Sequence, residues 1–198
     1  MVRFEELRPF YAALDTLPNR TAGDFLKLVL FTGLRRREAA ALTWNEVDFT
    51  GRVIRLAARR TKGGRKLDLP MSSFVRDLLI ARRALGKEPS GWVFCADSAS
   101  GHIEEPKFAL ALVKEKTGIE VSVHDLRRGY LTVAESVDIS PYALKALANH
   151  SLGFDVTSGY LQLTTERLRE SAQRVSDRLV ELCGIAAPEG VEQLGERA

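Results

Sequence analysis

Apolar residues recur at helical spacing through the first third of the chain, switch to short alternating runs after Asn45, and return to helical spacing from Met71 onward. Residues 4–17 form an amphipathic pattern. Residues 21–31 carry Phe25, Leu28 and Val29 on one face and stop at Thr32-Gly33, where glycine can end a helix. A third helix is expected over 35–42, with Leu34, Glu38, Ala41 and Leu42 at helical spacing. Three β-type runs follow at 47–49, 52–56 and 66–69, punctuated by turns at Thr50-Gly51 and Lys62-Gly63-Gly64. They predict a small antiparallel sheet with a basic hairpin at its tip. Beyond it, Phe74, Leu78, Ala81 and Leu85 make one helical stripe, and a helix is expected over 106–117 after a loop containing Trp92-Val93-Phe94. Leu126, Tyr130, Val133 and Val137 make another stripe. Ser140-Pro141 is a helix start, with serine as cap and proline at the first position. A last helix over 165–183 carries Leu168, Ala172, Val175, Leu179 and Leu182.

The pattern predicts an α+β fold, mainly α, with a three-stranded antiparallel sheet. At 198 residues the chain is one domain over 1–183 with a flexible tail, 184–198, rich in Gly, Pro, Glu and Ala. An apolar fraction of 45% supplies a core and excludes a disordered or fibrous protein. The net charge of +3 is too small to point to nucleic acid by itself, so the placement of the charges matters more. Cys95 and Cys183 are the only cysteines, and neither a signal peptide nor a long apolar run is present. That predicts a reduced cytoplasmic protein with two structural thiols and no membrane partner.

Placement is informative. Arg35-Arg36-Arg37 opens a helix directly after a glycine; Arg59, Arg60, Lys62, Arg65 and Lys66 surround the hairpin; Arg127-Arg128 opens another helix. One such cluster is ordinarily a solvated face. Three of them, each at a glycine turn or a helix start, fit a phosphate-binding surface better. His124 stands three positions before Arg127, and His150 and Tyr160 follow. None lies in a Cys/His spacing suited to a metal, and no cofactor is implied. A phenol becomes a useful nucleophile when its target is a phosphodiester surrounded by hydrogen-bond donors.

Four motifs carry a resemblance. They are Thr32-Gly33-Leu34-Arg35-Arg36-Arg37-Glu38-Ala39, Arg60-Thr61-Lys62-Gly63-Gly64-Arg65-Lys66, His124-Asp125-Leu126-Arg127-Arg128, and Leu147-Ala148-Asn149-His150-Ser151 with Tyr160. In this order the chain resembles the catalytic domain of the tyrosine recombinases, the family of phage integrases, the Xer resolvases and Cre. The resemblance implies that Arg35 and Arg127 clamp the scissile phosphate and Lys62 protonates the leaving 5′ oxygen. It implies that His124 assists the nucleophile or a phosphate oxygen, and that His150 donates to phosphate. Tyr160 would be the nucleophile, and Glu38 a support for the arginine. Arg36, Arg37, Arg59, Arg60, Arg65, Lys66 and Arg128 are the expected DNA contacts, with Arg36 and Arg37 open also to salt bridges.

The implied function is site-specific recombination at a double-stranded DNA attachment site, without metal or ATP, through a 3′-phosphotyrosyl intermediate. The implied assembly is a tetramer on DNA and a monomer when free, working in a bacterial nucleoid or phage-infected host. The N-terminal core-binding domain usual in the family is expected to be absent, with only the short helical lead over 4–17 before the motifs. Asn149 stands where the family commonly has glycine, and Gly129 where it has threonine. A type IB topoisomerase and a catalytically silent DNA-binding regulator are the competing functions. Tyr130 is expected in the core, His102 on the surface without a partner, and the helix over 165–183 either on its own domain or on a neighbouring protomer.

Overall fold

A computed structural model describes residues 2–86, 91–149 and 165–186. Its elements run α1 (Phe4–Asp15), α2 (Arg20–Thr32), α3 (Arg36–Ala40), β1 (Val47–Asp48), β2 (Val53–Leu56), β3 (Leu67–Pro70), α4 (Ser73–Arg83), α5 (Lys107–Thr117), α6 (Val123–Ser136), α7 (Pro141–Leu147) and α8 (Thr165–Cys183). The α+β class with three antiparallel strands in the order β1-β2-β3 is as the pattern predicted. The register pairs Val47 with Ile54 and Ile54 with Leu69.

The centre of the molecule is α2, which packs against α1, α3, α4, α6 and α8. Sequence spacing predicted one apolar face, whereas every residue from Ala22 to Thr32 is buried. A helix buried all round must neutralise its own polar residues. Asp24 pairs at 3.2 Å with Arg82, also buried, and Lys27 pairs with Asp15. That pairing also corrects the expected stripe on α4. Its buried face is Val75, Leu79 and Arg82, while Leu85 is 41% exposed, because Arg82 is drawn inward to Asp24, Thr21 and the Val93 carbonyl.

The third helix is shorter than expected. It ends at Ala40, where Leu42 N–H turns to the Ala39 carbonyl three positions back; the Leu42 carbonyl then accepts from Val93 N–H at 2.8 Å, and Trp44 N–H reaches the Gly91 carbonyl. His102 is likewise not partnerless. Its ring edge meets Trp92 and its Nδ1 lies 2.8 Å from the Ile103 carbonyl.

In the single chain, the Leu168, Ala172, Val175 and Leu179 stripe of α8 packs on α1, β3 and α6 of the same domain. Neither Cys95 nor Cys183 forms a disulfide, and burial pushes the Cys183 thiol up to about 12. Among the described residues no helix is long and apolar enough to cross a membrane, and no group of three or more His, Cys, Asp or Glu is placed to hold a metal.

Candidate active site

Arg35 stands at the seam between α2 and α3. α2 stops at Gly33, whose φ of 63° lies in the left-handed region that glycine enters without a Cβ penalty. Arg35 is extended and caps α3. Its N–H donates to Glu38 Oε2 and its Nη1 to Glu38 Oε1, at 3.0 Å each. Glu38 is buried, so one carboxylate fixes both the backbone and the guanidinium of Arg35.

Arg127 reaches the same place from α6. The first turn of that helix is set by Ser122 and Asp125, each side chain bonding the other's backbone N–H. Arg127 is 5% exposed; its Nη1 donates to the Gly33 carbonyl and its Nη2 to the Ala148 carbonyl at 2.5 Å. The next carbonyl, that of Asn149, accepts from Arg35 Nη2 at 3.3 Å. Successive carbonyls at the C-terminal end of α7 therefore hold one guanidinium each. Asn149 has a φ of 48°, a left-handed conformation that asparagine tolerates better than most residues. That explains in physical terms how asparagine can stand at a position where glycine is common.

Burial, and then the charge of Arg35, pull the Arg127 guanidinium below its usual value. Two cations side by side repel, and an anion bridging them removes that repulsion. The pair is thus built to receive an anion with several acceptor oxygens.

Arg35, Lys62, His124 and Arg127 line one cleft of about 1080 Å³. Lys62 sits exposed on the turn between β2 and β3, and its N–H lies 3.5 Å from Glu38 Oε1. His124 is exposed on the first turn of α6. Arg36, Arg37, Arg59 and Arg60 line the same cleft, whereas Arg65, Lys66 and Arg128 lie outside its lining. Arg36 donates to the Glu104 carbonyl at 2.8 Å, Lys66 pairs with Asp68 and Arg128 with Asp125. His150 and Tyr160 lie outside the described residues.

Sequence reasoning missed one wall. Lys107, Leu110, Ala111 and Lys114 of α5 line the cleft at i, i+3, i+4 and i+7. The signal was present, since that spacing puts two lysines and two apolar groups on one helix face. Counting the whole lining, nine lysines and arginines face three glutamates. Of the rival phenols, Tyr130 is buried against Gly33, and burial pushes it and Tyr11 up, away from easy ionisation.

The model of the phage integrase family matches residues 1–167. The chain is 30% identical over 196 residues to the prophage integrase IntF of Escherichia coli, covering 95% of this chain and 41% of that one. It is 29% identical over 138 residues to the integrase of Shigella phage Sf6, covering 68% of this chain and 35% of that one. The matches therefore span between about a third and two fifths of the length of these curated relatives. Among solved structures, the integrase of mycobacterium phage Brujita superposes with a TM-score of 0.62 at 20% identity, covering 88% of this chain and 61% of that one. The XerH recombinase bound to difH in its pre-cleavage complex gives 0.60 at 19% identity, covering 85% and 52%. The fold is shared with both, and on the family match the chain belongs to the phage integrase family of tyrosine recombinases.

Proposed function

We propose that the chain is the catalytic domain, over 1–183, of a site-specific DNA recombinase, an integrase of a phage or mobile element. The observation that carries this reading is the single cationic cleft in which Arg35, Lys62, His124 and Arg127 converge from α3, the β2–β3 turn and α6. The relatives support DNA as the substrate: the Tn1549 transposon integrase, of the same fold, is described in complex with circular intermediate DNA.

The chemistry follows from the groups present. The two guanidiniums take the non-bridging oxygens of the scissile phosphate and offset the charge that grows as phosphorus becomes five-coordinate. Tyr160 attacks phosphorus while His124 assists loss of its phenolic proton. As the new O–P bond forms, the bond from phosphorus to the 5′ oxygen breaks, and Lys62 gives that oxygen a proton. The product is a 3′-phosphotyrosyl strand and a free 5′ hydroxyl. A hydroxyl from the partner strand reverses the step, so the bond energy is retained in the phosphotyrosyl linkage. His150 follows directly on Asn149, whose carbonyl binds Arg35, which suits the phosphate-donor role. Arg37 and Arg59, both exposed, with Arg36, Arg65, Lys66 and Arg128, would neutralise flanking phosphates. Four protomers on two attachment sites would exchange strands in pairs.

The test is a nicked suicide duplex carrying one end of the element, incubated with the chain and resolved under denaturing conditions. The expected result is a covalent protein–DNA band that persists in a metal chelator. Relaxation of supercoiled plasmid without strand exchange would replace this reading with a topoisomerase, and absence of any adduct with a silent regulator.

A further inference from the structure

Arg60 was expected to contact DNA, yet its guanidinium is engaged within the protein. Its side chain is only 23% exposed. Nε donates to Glu46 Oε1 at 3.0 Å, and Nη2 lies 3.3 Å from Glu46 Oε2. The same Nη2 donates to the Ala41 carbonyl, just past the end of α3, and reaches the Glu38 carbonyl at 3.4 Å. Glu46 is itself held, because its Oε2 accepts from Thr43 N–H at 3.0 Å and from the Thr43 hydroxyl at 3.2 Å.

Immediately after Arg60, buried Thr61 closes the turn that carries Lys62. Its hydroxyl donates to the Arg65 carbonyl at 2.7 Å and accepts from Arg65 N–H at 3.1 Å. The turn is therefore closed by its own hydrogen bonds, and Arg60 joins it to the helix that Arg35 caps. Lys62 N–H makes the second join, to the carboxylate of Glu38 that also holds Arg35.

We propose that Arg60 is a positioning residue for proton donation: by mooring the β2–β3 turn to the end of α3, it sets the Lys62 ammonium against the leaving oxygen of the phosphate that Arg35 binds. This rests on the recombinase reading and on Lys62 as the acid. Lysine is a long, flexible side chain with a point charge, so its reach is defined only by its backbone anchor. A planar guanidinium shared among Glu46 and two carbonyls supplies an anchor that lysine at position 60 does not reproduce.

The test compares two suicide duplexes, one with the natural 5′ oxygen at the scissile bond and one with sulfur in its place. When the bond from phosphorus to sulfur breaks, sulfur leaves as a thiolate and needs no proton, so only defects in proton donation disappear. Arg60→Ala is expected to slow single-turnover cleavage of the oxygen duplex by about 10- to 100-fold, a fraction of what a general acid contributes, and to cleave the sulfur duplex near the parent rate. The salt dependence of its DNA binding should match the parent, because no phosphate contact is lost. Equal losses on both duplexes, no loss on the oxygen duplex, or a reduced salt slope would each overturn the proposal. Lys62→Ala serves as the control: if sulfur does not restore it, the assignment of the acid fails, and the role of Arg60 fails with it. Should Arg60→Ala not fold, Glu46→Ala removes the carboxylate that orients the Arg60 guanidinium, leaving only the carbonyl contacts, and is expected to give the same preference for sulfur with a smaller loss.

Discussion

At the residue scale, Gly33 shows how closely fold and chemistry are joined. It ends α2, its carbonyl holds Arg127, and a Cβ built on it would lie 2.4 Å from Tyr130 Cδ1. Gly33→Ala therefore meets both a left-handed backbone and a collision with a fully buried ring, and should cost about 2 kcal/mol or more in urea unfolding. Gly129 is the opposite case. It lies inside α6, and a Cβ there would find its nearest neighbours, Leu30 and Val2, at 4.0 Å. Gly129→Ala is expected to raise stability by about 0.5–1 kcal/mol, since alanine fits and stiffens the helix. A loss of stability at Gly129, or none at Gly33, would show that the packing between α2 and α6 differs from that described.

At the element scale, α6 presents both His124 and Arg127, and its start is fixed by the Ser122–Asp125 pair. The Ser122 hydroxyl, at 2.6 Å, and the Ser122 N–H hold the Asp125 carboxyl well below the usual carboxylate range. A depressed folded value means the stabilisation is complete above the ordinary value of 3.8 and fades as pH falls below it. Asp125→Asn should thus cost about 1 kcal/mol at neutral pH, with the gap from the parent closing in acid; a gap independent of pH would contradict the pairing. The apolar stripe behind this start placed Tyr130 in the core, but the start itself was expected at Arg127-Arg128 and lies a turn earlier, at Val123. The α4 face was not legible. An apolar count favours Phe74, Leu78 and Leu85 and gives arginine no credit, whereas Arg82 is buried because Asp24 waits for it on α2. The same limit hid the internal role of the Arg60 guanidinium, whose carboxylate partner Glu46 is fourteen positions upstream.

At the scale of the whole molecule, the site is an assembly of segments distant in sequence. Gly33 and Arg127, 94 positions apart, share a hydrogen bond, as do Arg35 and Asn149, 114 apart. Motif order named the participants, but only the fold shows that the end of α7 seats both arginines, that α5 forms a wall, and that Glu38 links Arg35 to the turn of Lys62. Arg35, Lys62, His124 and Arg127 line one cationic cleft, and the proposed strand transfer takes its attacking oxygen from Tyr160. The most direct measurement is therefore peptide mapping of the trapped adduct. After nuclease trimming and proteolysis, mass spectrometry should find the residual nucleotide on the peptide containing Tyr160, and Tyr160→Phe should form no adduct. A nucleotide on the peptide of Tyr11, Tyr130 or Tyr142, or an adduct that survives Tyr160→Phe, would contradict the account.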